Sequence, residues 1–166
     1  MDLPRKIRYR AYADWSKEER ETINKNVKQS PWHASYHIEP KTGLLNDPNG
    51  FSFFNGKYTL FYQNWPFGAA HGLKEWVHTE SDDLVHFYET GTELRPDTKR
   101  DSHGAYSGSA YEIDGKLFLF YTGNVRDENW VRYPFQIGAW MDKDYNITKC
   151  ENVLIHQAND VTDHFR

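Results

Sequence analysis

A single cysteine, Cys150, is all the sequence holds, so no internal disulfide can staple the fold. The opening MDLPRKIRYRAYADW lacks the apolar core of a secretory signal, which gives a cytoplasmic expectation. No apolar run approaches the length needed to span a bilayer. Positive charge is not in excess either. Twenty Lys and Arg stand against 24 Asp and Glu, a formal net charge of -4. Nucleic-acid and anionic-membrane partners favour clustered Lys and Arg on one face, so this balance argues against both and leaves small neutral or solvated ligands.

Aromatic residues, by contrast, are abundant at 16%, within a hydrophobic content of 38%. That composition marks a folded chain, and it favours strands. It also suits a surface that stacks on sugar rings, although core packing accounts for most aromatics. At 166 residues the chain fits within one domain, but it need not be a complete one. One segment reads as helix. Asp14 is a plausible N-cap for WSKEERETINKNVKQ, with Glu18 and Glu19 in the first turn, lysines toward the end, and Pro31 as the stop. Beyond it, Gly, Pro and Asn recur between short aromatic or β-branched runs, the pattern of an all-β chain.

An internal repeat organises that region. GFSFFNGKYTLFYQN (Gly50 to Asn64) and SAYEIDGKLFLFYTG (Ser109 to Gly123) each hold a strand, a two-residue turn, a lysine, and a strand ending Leu-Phe-Tyr. Asn55-Gly56 and Asp114-Gly115 are hairpin signals, because both central residues of a type I′ turn need positive φ. The offset between the copies is 59 residues. Each hairpin is followed by two more strand-like stretches, KEWVHTES and LVHFYE in the first copy, FQIGAWM and YNITK in the second. Four antiparallel strands at a constant interval describe a β-propeller blade, with a solenoid or a duplicated sandwich as the competing arrangements. Two blades cannot close a ring, and DVTDHFR falls where a third would begin, so the chain reads as a fragment. At the same offset Asp47 falls on Tyr106 and Pro48 on Ser107. The two stretches NDPNG and YSGS should therefore line one pocket at the propeller axis.

Asp47 is the residue most suited to chemistry. Asx and Pro make turns, and the string NDPNG can be a turn and nothing more. Here, however, it leads into the innermost strand, and Asn46, Gln63 and Ser107 would surround the carboxylate with uncharged hydrogen-bonding groups. Such neighbours keep a carboxylate ionised, as a nucleophile requires.

The ordered motifs NDPNG, FYQN (Phe61 to Asn64), WVH (Trp76 to His78), SDDLVHF (Ser81 to Phe87), YSGSA (Tyr106 to Ala110) and the final HFR closely resemble glycoside hydrolase family 32, the invertase family. The resemblance covers residues 32–166. HGLKEWVH and YTGNVRDENW look most like its bacterial sucrose-6-phosphate hydrolase branch. The resemblance implies a retaining fructosidase on a five-bladed propeller with a trailing β-sandwich and no cofactor or metal. This chain would be a partial five-bladed β-propeller, about two blades plus the start of a third (residues 32–166), after a short N-terminal helical extension (residues 1–31). It implies Asp47 as nucleophile, a glutamate from a later blade as acid and base, and a transition-state aspartate directly after Arg166. Without those two carboxylates the chain alone should be inactive.

Carried over by position, Asn46 and Gln63 would bond the fructosyl unit, Tyr106, Ser107 and Arg166 would line the same subsite, and Trp76 would form part of its apolar wall. The family often has Trp-Met where this chain has Leu44-Leu45, tryptophan where it has His71, and glycine where it has Val77. Leu45 and His71 therefore join the substrate-binding expectation, with the leaving-group side altered. His71, Lys74, Arg126 and Arg132 read as loop residues able to meet a sugar phosphate or simply to face solvent. His33 and His37 have metal-pair spacing without a supporting motif. His78 and His86, in strand-like runs, read as structural, and nothing in the spacing of Glu80 or Asp101 supports a replacement acid. The expected partner is a small sugar: sucrose, sucrose 6-phosphate or short fructans. A non-catalytic carbohydrate-binding or assembly module is the alternative, and open sheet edges would invite self-association.

Overall fold

A computed structural model describes residues 3–162 and Phe165. Arg166, expected to line the subsite, lies outside the described residues.

The described chain is all-β apart from a short N-terminal helical region. A one-turn helix α1 (Arg5–Arg8) and a 3-10 turn (Tyr12–Asp14) precede α2 (Lys17–Lys28). Ser16, not Asp14, caps α2. Its side chain accepts from Glu19 N while the Glu19 carboxylate accepts from Ser16 N, at 3.2 and 2.8 Å. This reciprocal pair satisfies two otherwise orphaned donors and contributes about 1 kcal/mol. Asp14 is spent in the preceding 3-10 turn, and the helix ends at Lys28, ahead of Pro31.

Two antiparallel sheets follow. In the first, β1 (Leu44–Phe54), β2 (Lys57–Trp65), β3 (Glu75–Ser81) and β4 (Tyr88–Leu94) pair in sequence order. In the second, β5 (Ala105–Ile113), β6 (Lys116–Arg126), β7 (Arg132–Met141) and β8 (Ile147–Lys149) do the same, and β9 (Ile155–His156) joins the other end of β7. Both hairpin turns take the expected backbone, with φ of 53° and 80° at Asn55-Gly56 and 50° and 76° at Asp114-Gly115. The fourth strand of the first sheet starts later than LVHFYE implies. The Asp83 carboxylate accepts from Val85 N and His86 N and pairs with the His86 ring, which holds those residues in a turn.

NDPNG is not a turn. It lies within β1, which pairs with β2 from Leu44↔Trp65 to Phe54↔Lys57 and is broken by two irregularities, at Asp47 and at Gly50-Phe51. Pro48 is tolerated because β1 sits at the edge of its sheet, beside a bulge. In the second sheet β5 has one such irregularity, at Ser107. The extra bulge in β1 shifts the repeat by one residue. Pro48 pairs with Tyr62 where Gly108 pairs with Tyr121, so Asp47 corresponds to Ser107 and Asn46 to Tyr106. Gly50 makes the shift possible with φ of 58°, a conformation that costs side-chain-bearing residues.

The sheets pack face to face. Phe54, Phe61, Trp76 and Leu94 of the first meet Ala105, Leu117, Leu119, Tyr121, Ile137, Ala139 and Met141 around the second. Strands β1 and β5 are neighbours across this junction, which sets their bulges side by side. A smaller core of Trp15, Trp65, Phe67 and Leu73 fixes the N-terminal segment to the connection between β2 and β3, with Trp15 stacked on Phe67 at 4.0 Å.

Candidate active site

The two bulges face each other. Ser107 Oγ donates to Asp47 Oδ2 at 2.6 Å, and Asn46 Nδ2 donates to Oδ1 at 3.2 Å. Gln63, 1% exposed on β2, completes a closed network. Its Nε2 donates to Ser107 Oγ at 3.0 Å, while its Oε1 accepts from Asn46 Nδ2 at 2.9 Å and from Lys74 Nζ at 3.1 Å. Asn49, buried within β1, ties the bulges together. It donates to Asp47 O at 2.8 Å and accepts from Gly108 N at 2.9 Å. Asp47 itself is exposed.

The Ser107 hydroxyl holds the Asp47 carboxyl below the usual carboxylate range, helped by Asn46 and by the charge of Lys74, against a smaller opposing effect of burial. The result is an ionised, outward-facing carboxylate whose charge is bonded on both oxygens. Asn46 Oδ1, meanwhile, is buried with no hydrogen-bond partner among the described residues.

The remaining expected residues distribute unevenly. Tyr106 lies in β5 beneath Lys74 and Arg132, at 5.6 and 4.9 Å from its ring. His71 is exposed on the loop before β3, and the Lys74 charge pushes its imidazole down. Leu45 is half-buried in β1 opposite Asn64. Trp76 is a correction. It is fully buried between Phe61 and Tyr121 in the core, so in this structure it presents no wall to a ligand. Arg126 and Arg132 are not loop residues but the paired ends of β6 and β7.

Other titratable groups serve the scaffold. His33 is held by Glu39 and Val27 O, and buried His78 pairs with Thr90 while burial pushes its ring down to about 4. Asp101 accepts from Tyr121 and Thr98 and pairs with Lys149. Away from Asp47, a cavity of about 220 Å³ lies between α2 and the outer part of the first sheet, lined in part by Tyr12, Glu75 and Arg95. Sequence reasoning missed Asn49 as the bridge, though it is part of NDPNG.

Known proteins match this chain in sequence and in fold. The family model described as glycosyl hydrolases family 32 N-terminal domain matches residues 37–166. A sucrose-6-phosphate hydrolase of Streptococcus mutans is 75% identical over the whole of this chain, and one of Lactococcus lactis is 56% identical. The chain spans 35% of the length of each of these relatives. Among solved structures, a sucrose-6-phosphate hydrolase from Lactobacillus gasseri superimposes with a TM-score of 0.94 at 48% identity, over 98% of this chain and 33% of that one. A mutant family 32 β-fructofuranosidase of Bombyx mori in complex with sucrose gives 0.72 at 32% identity, over 87% of this chain and 31% of that one. With most of its length inside the family model and its bulged aspartate at the meeting of the two sheets, the chain belongs to glycoside hydrolase family 32.

Proposed function

We propose that this chain carries the nucleophile and much of the fructosyl subsite of a retaining β-fructofuranosidase acting on sucrose or sucrose 6-phosphate. The observation that carries the reading is the Asp47 carboxylate, exposed yet bonded on both oxygens by Ser107 and Asn46. Asp47 attacks the anomeric carbon of fructose and the glycosidic bond breaks to leave a fructosyl ester, which water then hydrolyses. Asn46 Oδ1 accepts from a fructosyl hydroxyl, and Gln63, Tyr106 and Ser107 set the orientation of the same sugar. Relatives named for sucrose 6-phosphate, and a neighbour solved with sucrose, support the substrate class.

Retention also needs a second carboxylate about 5–5.5 Å from the first. None of the described carboxylates bonds to Asp47 or to the groups that hold it. This reading takes the acid from a later part of the gene product and expects the 166 residues by themselves to bind sugar without turnover. The same reading takes residues 1–31 as a helical extension and 32–166 as the first blades of a five-bladed propeller, in a cytoplasmic enzyme. Its open sheet edges, β4 among them, are surfaces for self-association, which sedimentation would register.

The test is hydrolysis of both sugars by the full-length gene product and its Asp47→Ala variant. Activity should fall by roughly 10³-fold or more, and azide should restore turnover with inverted anomeric configuration. An active Asp47→Ala enzyme overturns the reading.

A further inference from the structure

The cavity between α2 and the first sheet lies on the face of that sheet turned away from Asp47. Strand alternation sets the two sides apart. Tyr62 and Asn64 line the cavity from β2, while Gln63 between them turns the other way, to Asn46 and Ser107. Glu75 and Val77 line it from β3, and Trp76 between them packs against Tyr121 of the second sheet. The volume of about 220 Å³ equals about seven waters at their liquid share of roughly 30 Å³ each, which is room for one sugar ring but not two.

Glu75 is the group that singles this cavity out. The residue is 4% exposed, and its Oε2 is buried with no hydrogen-bond partner among the described residues. The Arg95 Nε–H stops 3.5 Å from it. Burial pushes the carboxyl up to about 8, so at neutral pH it keeps its proton and offers a donor as well as an acceptor. A buried carboxyl without a partner bears its full desolvation cost, which a hydroxyl bonded to it would offset.

The charged groups around Glu75 are engaged. Glu89 accepts from Tyr62 Oη at 2.6 Å and pairs with Lys41 at 2.5 Å. Glu93 pairs with Arg95 at 3.5 Å, and Arg20 donates to Trp15 O and Tyr12 O. An ion entering here would have to break one of these contacts, so the lining favours a neutral guest. Phe67 and Val77, both buried, add an apolar surface beside the carboxyls. Polar groups next to an apolar face suit a sugar, which carries hydroxyls around its rim and C–H groups on its faces.

We propose that this cavity is a separate binding site for one neutral monosaccharide, or a polyol of similar size, with Glu75 bonded to a hydroxyl and Phe67 and Val77 against the C–H face. The proposal does not depend on the fructosidase reading, because its side chains are not those that hold Asp47.

The experiment titrates D-glucose and D-fructose calorimetrically into the full-length gene product and its Glu75→Leu and Ile23→Trp variants. Ile23 lines the cavity from α2 and is half-buried, so an indole in its place fills the space. At least one of the sugars should bind the wild type with a dissociation constant on the order of 1 mM, the affinity of so small a neutral ligand. Glu75→Leu should weaken that binding about fivefold or more through the lost hydrogen bond, and Ile23→Trp should abolish it. Sugar held near Asp47 would be unmoved by either substitution, so an affinity unchanged in either variant overturns the proposal. Failure of both sugars to bind the wild type overturns it as well. Should the variants fail to fold, wild-type crystals soaked in each sugar decide: a sugar bonded to Glu75 supports the site, and a cavity holding only water overturns it.

Discussion

Ser107 and Asp47 are the bulged residues of the first strands of their respective sheets, and the serine hydroxyl donates to the aspartate carboxylate at 2.6 Å. Each sheet therefore supplies one half of the contact that holds the proposed nucleophile.

Removing that hydroxyl should be felt as a pH shift. Ser107 is the foremost cause of the lowered Asp47 titration, so Ser107→Ala lets the carboxyl rise toward its ordinary range. Because the proposed mechanism uses the ionised form, the acidic limb of kcat/KM should move to higher pH. The same change strips Gln63 Nε2 of its acceptor, and activity near neutral pH should drop roughly tenfold, the worth of one hydrogen bond to a charged group. A pH–rate profile of the full-length gene product checks both.

Asn49 offers a stability test. It is 4% exposed and bonds Asp47 O on one strand and Gly108 N on the other. Asn49→Ala leaves that buried donor and acceptor unsatisfied and should cost about 1–3 kcal/mol, read from the urea midpoint. An unchanged midpoint would mean that the bulges hold each other without it.

The repeat was legible only in part, and the reason is physical. Asn-Gly and Asp-Gly announce their hairpins because positive φ selects residue types locally. A bulge depends on which strand lies opposite, and nothing near Gly50 in the sequence declares the extra residue. A fixed offset of 59 therefore pairs Asp47 with Tyr106, whereas the register pairs it with Ser107. Trp76 shows the same limit from another side: its chemistry suits a sugar platform, but β3 is buried along its whole length between its neighbours, and the packing of the second sheet decides its place. The capping serine of α2 does carry a local signal, since Ser16 and Glu19 have capping-box spacing.

Stability should also depend on pH through Glu75 and His78. Burial pushes the Glu75 carboxyl up to about 8, and Arg95, at 3.5 Å and half exposed, is too distant and too hydrated to reverse it. The unfolded chain titrates there at about 4.3. This contribution is full below that value and is lost as pH rises through 8. His78 runs the other way. Burial lowers it to about 4, so its contribution is present above the unfolded value of about 6.5 and is lost as pH falls through 4. Glu75→Gln should remove the alkaline loss, flattening the denaturation midpoint between about pH 6.5 and 8, where the His78 gain is complete and the wild type declines.

The central claim, that Asp47 forms the covalent intermediate, is tested most directly by acid-quenching the full-length gene product during turnover of sucrose or sucrose 6-phosphate and mapping its peptides by mass. The account predicts one anhydrofructosyl unit on the peptide containing Asp47, absent in Asp47→Asn. An adduct on another residue, or a first-formed fructose of inverted configuration, would contradict it.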